Sequence, residues 1–305
     1  MLRERDYPGL DGVQLVRLES DWLSVDVAPN VGGRVVSLKE KSSGHEFLWR
    51  NAGLRLELLK PGSQYDPNFY GGIDELLPND IPEEINGINC PDHGELWTMA
   101  LNWRCENEIL NLEGILPRFG LRYERTMSLR KESPILDVDY RISNPAPYAR
   151  QFLWTLHAAL AVERGDVIDC PARRAQVGDL NCSRFSSLEL FAWPTLEGKA
   201  ANVVPPADGT MDFFYLFDLA EGWIAWRRPN AGLEFRYEFD TRVFPYVWVF
   251  ASYGRFHGHY MVILEPSTAM PNSVNDAAKR GQCAVLQPGE SLETRVSIRA
   301  SRVQS

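Results

Sequence analysis

Long apolar runs and an excess of positive charge are both missing from this sequence. No stretch approaches 18 consecutive apolar residues, so no segment has the length and composition of a transmembrane helix. Acidic residues outnumber basic ones by 41 to 32 among 305 residues, for a formal net charge of −9. This charge disfavours nucleic acid or an anionic membrane as the main partner. The N-terminal segment is charged and lacks the apolar stretch of a secretory signal, so none is expected.

Cysteine patterns that bind zinc or form disulfide frameworks are missing too. The sequence has five cysteines, an odd number, and no Cys-x-x-Cys pair. A structural zinc site or a disulfide framework is therefore not expected. The pattern is typical of buried free thiols in a reducing compartment, and we expect a cytoplasmic location.

Helical periodicity is almost absent, and short alternating or apolar runs separated by turn residues take its place. One short helix is predicted at residues 274–281, with Asn272 or Ser273 as its cap and Gly281 as its stop. Without βαβ alternation, these runs predict an all-β fold: a large antiparallel sandwich or barrel with few short helices. The predicted strands are residues 23–28, 34–38, 121–129, 135–142, 151–156, 223–226, 232–239, 245–252, 260–264, 284–286 and 293–299.

The chain length suits one large β domain or two ordinary ones. No low-complexity linker or charge block divides the sequence, so we expect one domain over residues 1–305. Residues 65–95 are the least strand-like segment, rich in Gly, Pro, Asp and Asn. Loops of that length in compact domains are usually functional.

Three side chains are candidates for acid–base chemistry. Glu265 follows the apolar run 262–264 and precedes Pro266, where partial desolvation at the mouth of a sheet would raise its pKa. His157 follows four largely apolar positions, and His93 lies in a Pro-Asp-His-Gly turn. Each also has a structural explanation: a solvated edge charge, a core histidine and a loop-stabilising contact with Asp92. Together they indicate acid–base chemistry on a neutral polar ligand.

An ordered set of motifs resembles the aldose 1-epimerase (galactose mutarotase-like) superfamily over nearly the whole chain. This resemblance implies a supersandwich of two large antiparallel sheets with a sugar site on one face. The motifs are Pro29-Asn-Val-Gly-Gly-Arg-Val-Val-Ser-Leu38 with Ser43-Gly-His-Glu-Phe-Leu-Trp49, Gly71-Gly-Ile-Asp-Glu-Leu-Leu-Pro78, Asp92-His-Gly-Glu95, Trp154-Thr-Leu-His157, Leu264-Glu-Pro266 with Pro271, and Leu286-Gln-Pro-Gly-Glu290.

Mutarotation opens a cyclic hemiacetal and recloses it on the other face, which needs a base for the anomeric hydroxyl and an acid for the ring oxygen. Glu265 fits the base and His157 the acid, with His93 hydrogen-bonding the ring or anomeric oxygen, and the resemblance implies the same roles. No metal or organic cofactor is required.

Five further residues are predicted to bind substrate: Asp74, Glu75, Asp212, Tyr70 and Trp97. The acids would accept hydrogen bonds from sugar hydroxyls, and the aromatics would form pocket walls. The structural alternatives are loop stabilisation for Asp74 and Glu75, a turn for Asp212 and core packing for the aromatics. In relatives that act on aldoses or their phosphates, the Gly-Gly loop commonly carries an arginine in it or beside it. In this sequence Tyr70 precedes the loop, and the loop itself contains the acids Asp74 and Glu75.

Two places in the sequence carry potential metal ligands, but metal binding is not expected at either. On one strand, His257 and Glu265 would lie roughly 26 Å apart at about 3.3 Å per residue, too far for one ion to bridge. Cys90 and His93 lack a second pair that would complete four ligands.

The leading functional prediction is an aldose 1-epimerase-like isomerase acting on a free sugar or the end of a small oligosaccharide. The alternatives are a non-catalytic carbohydrate-binding or regulatory protein on the same fold, and a hexose-phosphate epimerase. A phosphate site needs clustered arginines, whereas Arg34, Arg55 and Arg118 are scattered in sequence. Either a monomer or a homodimer is expected.

Overall fold

The computed structural model describes residues 5–8 and 10–302. Within these ranges the chain forms strands β1 to β24, one short α-helix, α1 (Val274–Lys279), and four 3-10 turns at Asp66–Asn68, Leu96–Thr98, Leu180–Cys182 and Pro229–Ala231. The strands are β1 Arg5–Pro8, β2 Gln14–Glu19, β3 Leu23–Ala28, β4 Arg34–Glu40, β5 Ile73–Leu76, β6 Glu83–Ile85, β7 Ile88–Cys90, β8 Asn102–Glu106, β9 Ile109–Ile115, β10 Arg122–Leu129, β11 Ile135–Ser143, β12 Arg150–Phe152, β13 Thr155–Ala161, β14 Val167–Asp169, β15 Ala172–Val177, β16 Thr195–Leu196, β17 Lys199–Ala200, β18 Thr210–Leu219, β19 Trp223–Arg228, β20 Leu233–Glu238, β21 Tyr246–Tyr253, β22 Tyr260–Ser267, β23 Ala284–Leu286 and β24 Ser291–Arg302.

Two large antiparallel sheets dominate the fold. The ten-stranded sheet has the order β1-β2-β3-β4-β5-β13-β22-β21-β18-β15, and the eight-stranded sheet has the order β14-β19-β20-β24-β11-β10-β9-β8. Three two-stranded sheets, β12-β23, β16-β17 and β6-β7, complete the topology of the described residues. The prediction of an all-β antiparallel sandwich with few short helices is confirmed. No helix within the described ranges is long and apolar enough to cross a membrane.

The main hydrophobic core draws side chains from both large sheets. Strand β10 shows why: its buried positions alternate with exposed or half-buried ones from Arg122 to Leu129, the pattern of a strand with one face packed. Large aromatics such as Trp226 and Phe235 are fully buried in the same cluster. Each fully buried side chain of this size contributes about 1.5–3 kcal/mol.

Local sequence signals place several elements well. Strands β3 and β23 have the predicted bounds, and α1 begins at the predicted residue. The Ser273 side chain accepts a hydrogen bond from the Asp276 backbone N–H at 3.2 Å, which caps the first turn of α1.

The strand predicted at residues 151–156 is wrong, because the structure divides it into β12 and β13. Between them, the Leu153 N–H donates to the Pro78 carbonyl and the Trp154 N–H to the Thr268 hydroxyl. These backbone groups are therefore satisfied by loops rather than by a strand ladder.

Two errors of strand extent concern the candidate site directly. Strand β22 was predicted to end at residue 264, but it continues to Ser267, so Glu265 lies inside a central strand. The segment 65–95 was interpreted as the least strand-like part of the chain, yet it contains β5, which lies between β4 and β13 in the ten-stranded sheet.

Candidate active site

Five side chains form a row across the ten-stranded sheet: Asp74, His157, Glu265, Trp248 and Tyr215. Strand register pairs Asp74 with His157, Trp248 with Glu265, and Tyr215 with Trp248. The pairing of β13 with β22 continues the row, because the same register that pairs residues 155 with 267 and 158 with 264 places His157 opposite Glu265. Directly opposite side chains point to one face with Cβ atoms about 4.5–5.5 Å apart.

This row lies on the sheet face that points away from the eight-stranded sheet. Four of its members, all except Asp74, line a cleft of about 870 Å³. That volume falls within the range of roughly 300–1,000 Å³ typical of small-molecule sites. Other lining residues are the aromatics Tyr65, Phe69, Phe213, Phe250 and Phe256, the polar residues Asp80, His93 and Asn272, and Asp66, Asp179, Arg255 and His257.

His157 is held by a buried aspartate behind it. Its Nδ1 lies 2.9 Å from Oδ1 of Asp74, whose Oδ2 accepts a hydrogen bond from the Tyr65 hydroxyl at 2.8 Å and pairs with Arg34 at 2.7 Å. Burial would raise the pKa of Asp74, but Arg34 and His157 outweigh burial and lower it to about 2. The ionised Asp74 therefore accepts the Nδ1–H of His157, which leaves Nε2 for a ligand in the cleft.

Glu265 is buried without a partner. Its side chain is 4% exposed and makes no hydrogen bond or ion pair with any residue in the described ranges. Burial, followed by repulsion from Asp80 and Asp74, raises the pKa of Glu265 well above its ordinary value. A carboxyl in this environment retains its proton at higher pH than a solvated one, and it is available to a polar ligand.

His93 is fixed between two carboxylates at the side of the cleft. Its Nδ1 lies 2.8 Å from Asp92 Oδ1 and its Nε2 lies 3.4 Å from Asp80 Oδ1. Its ring stacks on Tyr65 with 3.9 Å between centroids. Burial lowers the pKa of His93, but Asp80 and Asp92 outweigh burial and raise it above the ordinary value. The two carboxylates therefore stabilise the imidazolium form of this ring.

The His-Gly turn needs its glycine. Gly94 has a φ of +74°, and a Cβ atom there would lie 2.3 Å from the Leu77 carbonyl oxygen. Absence of a side chain lets the backbone of the turn approach the end of β5, where Glu95 N–H donates to Leu77 O at 2.8 Å. This contact holds His93 beside the cleft.

Asp74 and Glu75 were both predicted to bind substrate, and the structure places them on opposite faces of β5 because successive side chains of a strand alternate. Asp74 lies behind His157 and does not line the cleft. Glu75 points toward the eight-stranded sheet and accepts hydrogen bonds from four buried donors. These donors are Tyr123 at 2.8 Å, Arg125 at 2.8 Å, Tyr140 at 3.1 Å and Trp154 at 2.8 Å.

Neither of the two predicted aromatic walls lines the cleft. Tyr70 is buried in a small separate cluster with Leu15 and Val36. Trp97 lies behind the site, packs edge-on against Tyr65 with 5.0 Å between centroids, and donates its Nε1–H to the Asp92 carbonyl at 3.1 Å. The side chains that form the aromatic walls instead come from β18, β21 and the loops.

Asp212 also lies outside the cleft lining. It is fully buried in β18 and pairs with Arg184 at 2.7 Å. Burial raises the pKa of Asp212 to about 6, against the opposing effect of Arg184. Strand alternation explains its position, because its neighbours Met211 and Phe213 occupy the cleft face.

Three residues of the cleft were missed by sequence reasoning: Tyr65, Asp80 and Asn272. Tyr65 connects the two histidines, since it hydrogen-bonds Asp74 and stacks on His93. Asn272 was considered only as a helix cap, but its Nδ2 donates to Asp80 at 2.9 Å. The available signal was the Asn-Asp dipeptide that follows the Gly-Gly motif and Pro78, within the segment already expected to be functional.

The two neighbouring histidines of the sequence lie in the turn between β21 and β22. His257 lines the rim of the cleft, whereas His259 packs against Trp49 with 4.7 Å between ring centroids. Across the residues that the structure describes, no group of three or more His, Cys, Asp or Glu side chains is arranged to hold a metal ion.

The fold is similar to that of solved galactose mutarotase-like proteins, as the sequence resemblance predicted. A galactose mutarotase-like protein from Clostridium acetobutylicum superposes with a TM-score of 0.73 at 16% identity, covering 99% of each chain. A protein from Escherichia coli K12 named provisionally as an aldose 1-epimerase gives 0.72 at 16% identity, covering 95% of this chain and 99% of that one.

A third similar structure is larger. A TPR-domain containing protein from Parabacteroides distasonis gives a TM-score of 0.72 at 16% identity; 96% of this chain is covered, and it spans 48% of that protein. At the sequence level, the model of a domain of unknown function (DUF5107) matches residues 8–78. No curated protein matches the sequence. These likenesses establish the fold.

Proposed function

We propose that this protein is an aldose 1-epimerase-like isomerase that interconverts the anomers of a free sugar by acid–base ring opening. The observation that carries the proposal is the pair His157 and Glu265, which face each other from adjacent strands at an aromatic cleft. Asp74 orients His157, whereas Glu265 has no partner among the described residues. This asymmetry suits a site in which a ligand completes the hydrogen bonding of the glutamate.

The reaction needs one proton shared between the two groups. With Glu265 ionised and His157 protonated, Glu265 takes the anomeric hydroxyl proton while Nε2–H of His157 protonates the ring oxygen and the C1–ring oxygen bond breaks. The resulting aldehyde rotates about its C1–C2 bond. His157 then removes the proton from the former ring oxygen, which attacks the other face of C1, and Glu265 returns its proton to the carbonyl oxygen.

Ring closure starts from the opposite protonation state, with Glu265 protonated and His157 neutral, because the two groups exchange roles in that step. Ring opening of the bound sugar needs the ionised carboxylate. Burial and the neighbouring Asp80 and Asp74 raise the pKa of Glu265, which makes its carboxylate a stronger base toward the anomeric hydroxyl. A raised pKa of a buried carboxyl is therefore suited to general-base catalysis.

Aromatic side chains support a sugar ligand. Trp248 and Tyr215 belong to the row, and Phe213, Phe250 and Phe256 extend the wall beside it. Such faces pack against the C–H surfaces of a pyranose ring and exclude water from the opened chain.

The proposal is tested by exchange NMR with a panel of aldoses at anomeric equilibrium, using the wild type and Glu265→Gln. We expect accelerated exchange for at least one aldose, and a loss of about 10²–10⁴-fold in the variant. Saturation-transfer signals from the sugar should persist in both. Full exchange by Glu265→Gln would contradict the assignment of this residue.

A non-catalytic carbohydrate-binding protein is the second candidate. The protonated carboxyl favoured at Glu265 is also a good hydrogen-bond donor to a bound sugar oxygen. Saturation transfer from a sugar without any accelerated exchange would favour this function.

For the organisation of the chain, we propose one domain over residues 1–305, supported by a main core cluster that includes side chains of both large sheets.

A further inference from the structure

Asp80 is a cleft residue to which the proposed reaction assigns no role. It lies in the loop after β5, and its carboxylate is held from two sides. Asn272 Nδ2 donates to Oδ2 at 2.9 Å, and His93 Nε2 lies 3.4 Å from Oδ1. The Asp80 carbonyl also accepts the His93 N–H at 2.6 Å, which fixes the backbone of the loop. The carboxylate is thus oriented before any ligand binds.

Part of the accepting capacity of this carboxylate is unused. An ionised carboxylate offers about four lone-pair sites to hydrogen-bond donors. Within the described ranges, Asn272 is the side chain that donates to it, and His93, which pairs more closely with Asp92, lies at a longer distance of 3.4 Å. The remaining sites are on a residue that lines the cleft. Hydroxyl groups of a ligand are suitable donors for them.

Asp80 also affects the second carboxyl of the cleft. Among charged groups it contributes most to raising the pKa of Glu265, ahead of Asp74. Glu265 itself is a buried and unpartnered polar side chain in the same cleft, which independently indicates a ligand. A sugar that donates one hydroxyl to Asp80 would therefore bring its neighbouring atoms toward Glu265.

The distribution of charge disfavours an anionic ligand in the deep part of the cleft. Arg255 is the only lysine or arginine among the described residues that line it, and Arg255 is exposed. Phosphate and carboxylate sites in proteins typically use arginine or lysine donors. Here the cationic ring of His93 is already flanked by the carboxylates of Asp80 and Asp92, and Asp74 lies directly behind His157.

We propose that Asp80 is a substrate-binding residue that accepts hydroxyl groups of an uncharged sugar, and that its charge excludes phosphorylated sugars from the cleft. The inference rests on the proposed function for the chemical class of the ligand. It extends that function by naming a binding residue and by restricting the substrate to uncharged aldoses.

The test compares wild type, Asp80→Asn and Asp21→Asn in binding and in anomer exchange. The probes are D-glucose, D-galactose and their 6-phosphates, with affinity measured by saturation-transfer NMR and KM and kcat by exchange NMR. Asp21→Asn removes an equal charge from an exposed residue outside the cleft and is the matched control.

We expect the wild type to bind at least one uncharged aldose and to bind its 6-phosphate at least about tenfold more weakly. Asp80→Asn should raise the Kd and KM for the uncharged sugar by about tenfold or more, as expected for losing hydrogen bonds to a charged group. In Asp80→Asn, the ratio of the Kd for the 6-phosphate to the Kd for the uncharged sugar should become smaller at the same time. Asp21→Asn should change these values by about twofold or less.

The pH dependence of anomer exchange separates a direct role of Asp80 in the cleft from misfolding of the variant. Asp80→Asn removes a negative neighbour of Glu265 and should lower the pH at which Glu265 titrates. Asn272→Asp adds a negative charge beside Asp80 and should move that pH upward. Opposite shifts in the two variants are not expected from general loss of structure, and identical or absent shifts would overturn the proposal.

The outcomes distinguish this inference from the proposed reaction. Binding of an uncharged aldose without exchange would contradict the reaction, and the Asp80 comparison would still be decided by Kd. Exchange by the wild type with an unchanged KM in Asp80→Asn would overturn the Asp80 inference alone. Equal or tighter binding of the 6-phosphates would also overturn it. Failure to bind any uncharged aldose would overturn both.

Discussion

Two buried glutamates of the same sheet, Glu75 and Glu265, have opposite surroundings. Glu75 accepts hydrogen bonds from four side chains, including the cation of Arg125, on the face that packs against the eight-stranded sheet. Glu265 lies on the cleft face without a hydrogen bond or ion pair to any described residue. A fully partnered carboxylate stabilises the fold, whereas an unpartnered one costs stability and is retained where a ligand completes it.

The same contrast is repeated within one strand. Asp74 and Glu75 are adjacent in β5 and each has a buried arginine, at 2.7 Å from Arg34 and 2.8 Å from Arg125. Asp74 differs because it also orients His157. Burial and hydrogen bonding alone therefore do not distinguish a structural acid from a functional one; the identity of the partners does.

The largest expected effect on stability is that of Glu75→Gln. The substitution leaves the buried Arg125 without its counter-ion, which should lower the free energy of unfolding by roughly 3–5 kcal/mol. Urea unfolding followed by circular dichroism measures this change. Asp139→Asn, which breaks an exposed pair with Arg295, is the control and should cost less than about 1 kcal/mol. Equal stability of Glu75→Gln and wild type would remove the contrast with Glu265.

Asp74→Asn should mainly affect the proposed chemistry. Loss of the carboxylate behind Nδ1 removes the group that orients His157 and fixes its tautomer. We expect kcat for anomer exchange to fall by about 10²-fold, at the lower end of what a positioned acid–base group contributes. Exchange NMR well below the unfolding temperature separates this loss from the weakened Arg34 pair. An unchanged kcat would show that Asp74 acts only in stability.

The pH dependence of the unfolding free energy gives a further test of the contrast between Glu265 and Glu75. Because the pKa of Glu265 is raised in the folded state, the folded protein binds the Glu265 proton more tightly than the unfolded chain does. The contribution is therefore favourable at acidic pH and is lost as pH rises from the unfolded pKa of 4.5 toward the folded value.

Glu265→Gln removes this titration. Relative to the wild type, its free energy of unfolding should increase with pH above about 4.5, with a slope of up to about 1.4 kcal/mol per pH unit. Denaturant unfolding at several pH values measures the difference. A difference that is constant with pH would mean that the pKa of Glu265 is the same in both states.

The smallest expected effect is that of Tyr215→Phe. The Tyr215 hydroxyl accepts the Asn272 N–H at 3.2 Å at the end of the row. Its loss should cost about 1 kcal/mol in unfolding free energy. Exchange should stay within about threefold of the wild type. A reduction of more than tenfold in exchange would indicate that this hydroxyl contacts the sugar directly.

The sequence allowed the prediction of elements that depend on local signals. A cap at Asn272 or Ser273 indicated the start of α1, which Ser273 caps in the structure, and turn residues on both sides indicated the bounds of β3. Strand β5 was missed because Asp74 and Glu75 are buried on opposite faces of it. Their arginine partners are 40 and 50 residues away in the chain, so no local pattern indicates that these charges are satisfied.

The same reason explains which residues of the cleft the sequence could indicate and which it could not. His157 and Glu265 were candidates because each lies in an apolar segment, and such segments form central strands that meet in the sheet. Asp80 and Asn272 are 192 residues apart and lie in loops, so their hydrogen bond has no local signature. Side chains alternate along β18, so Asp212 points away from the cleft while its neighbours Met211 and Phe213 line the cleft. Which of these residues face the cleft depends on the register of β18 in the sheet.

The most direct test of the account measures anomer exchange and unfolding free energy side by side for Glu265→Gln and Glu75→Gln. We predict that Glu265→Gln loses about 10²–10⁴-fold in exchange while keeping or gaining stability at neutral pH. We predict that Glu75→Gln loses stability while the remaining folded protein exchanges anomers at a rate within about tenfold of the wild type. Undiminished exchange by Glu265→Gln, in a protein whose wild type accelerates it, would contradict the central claim.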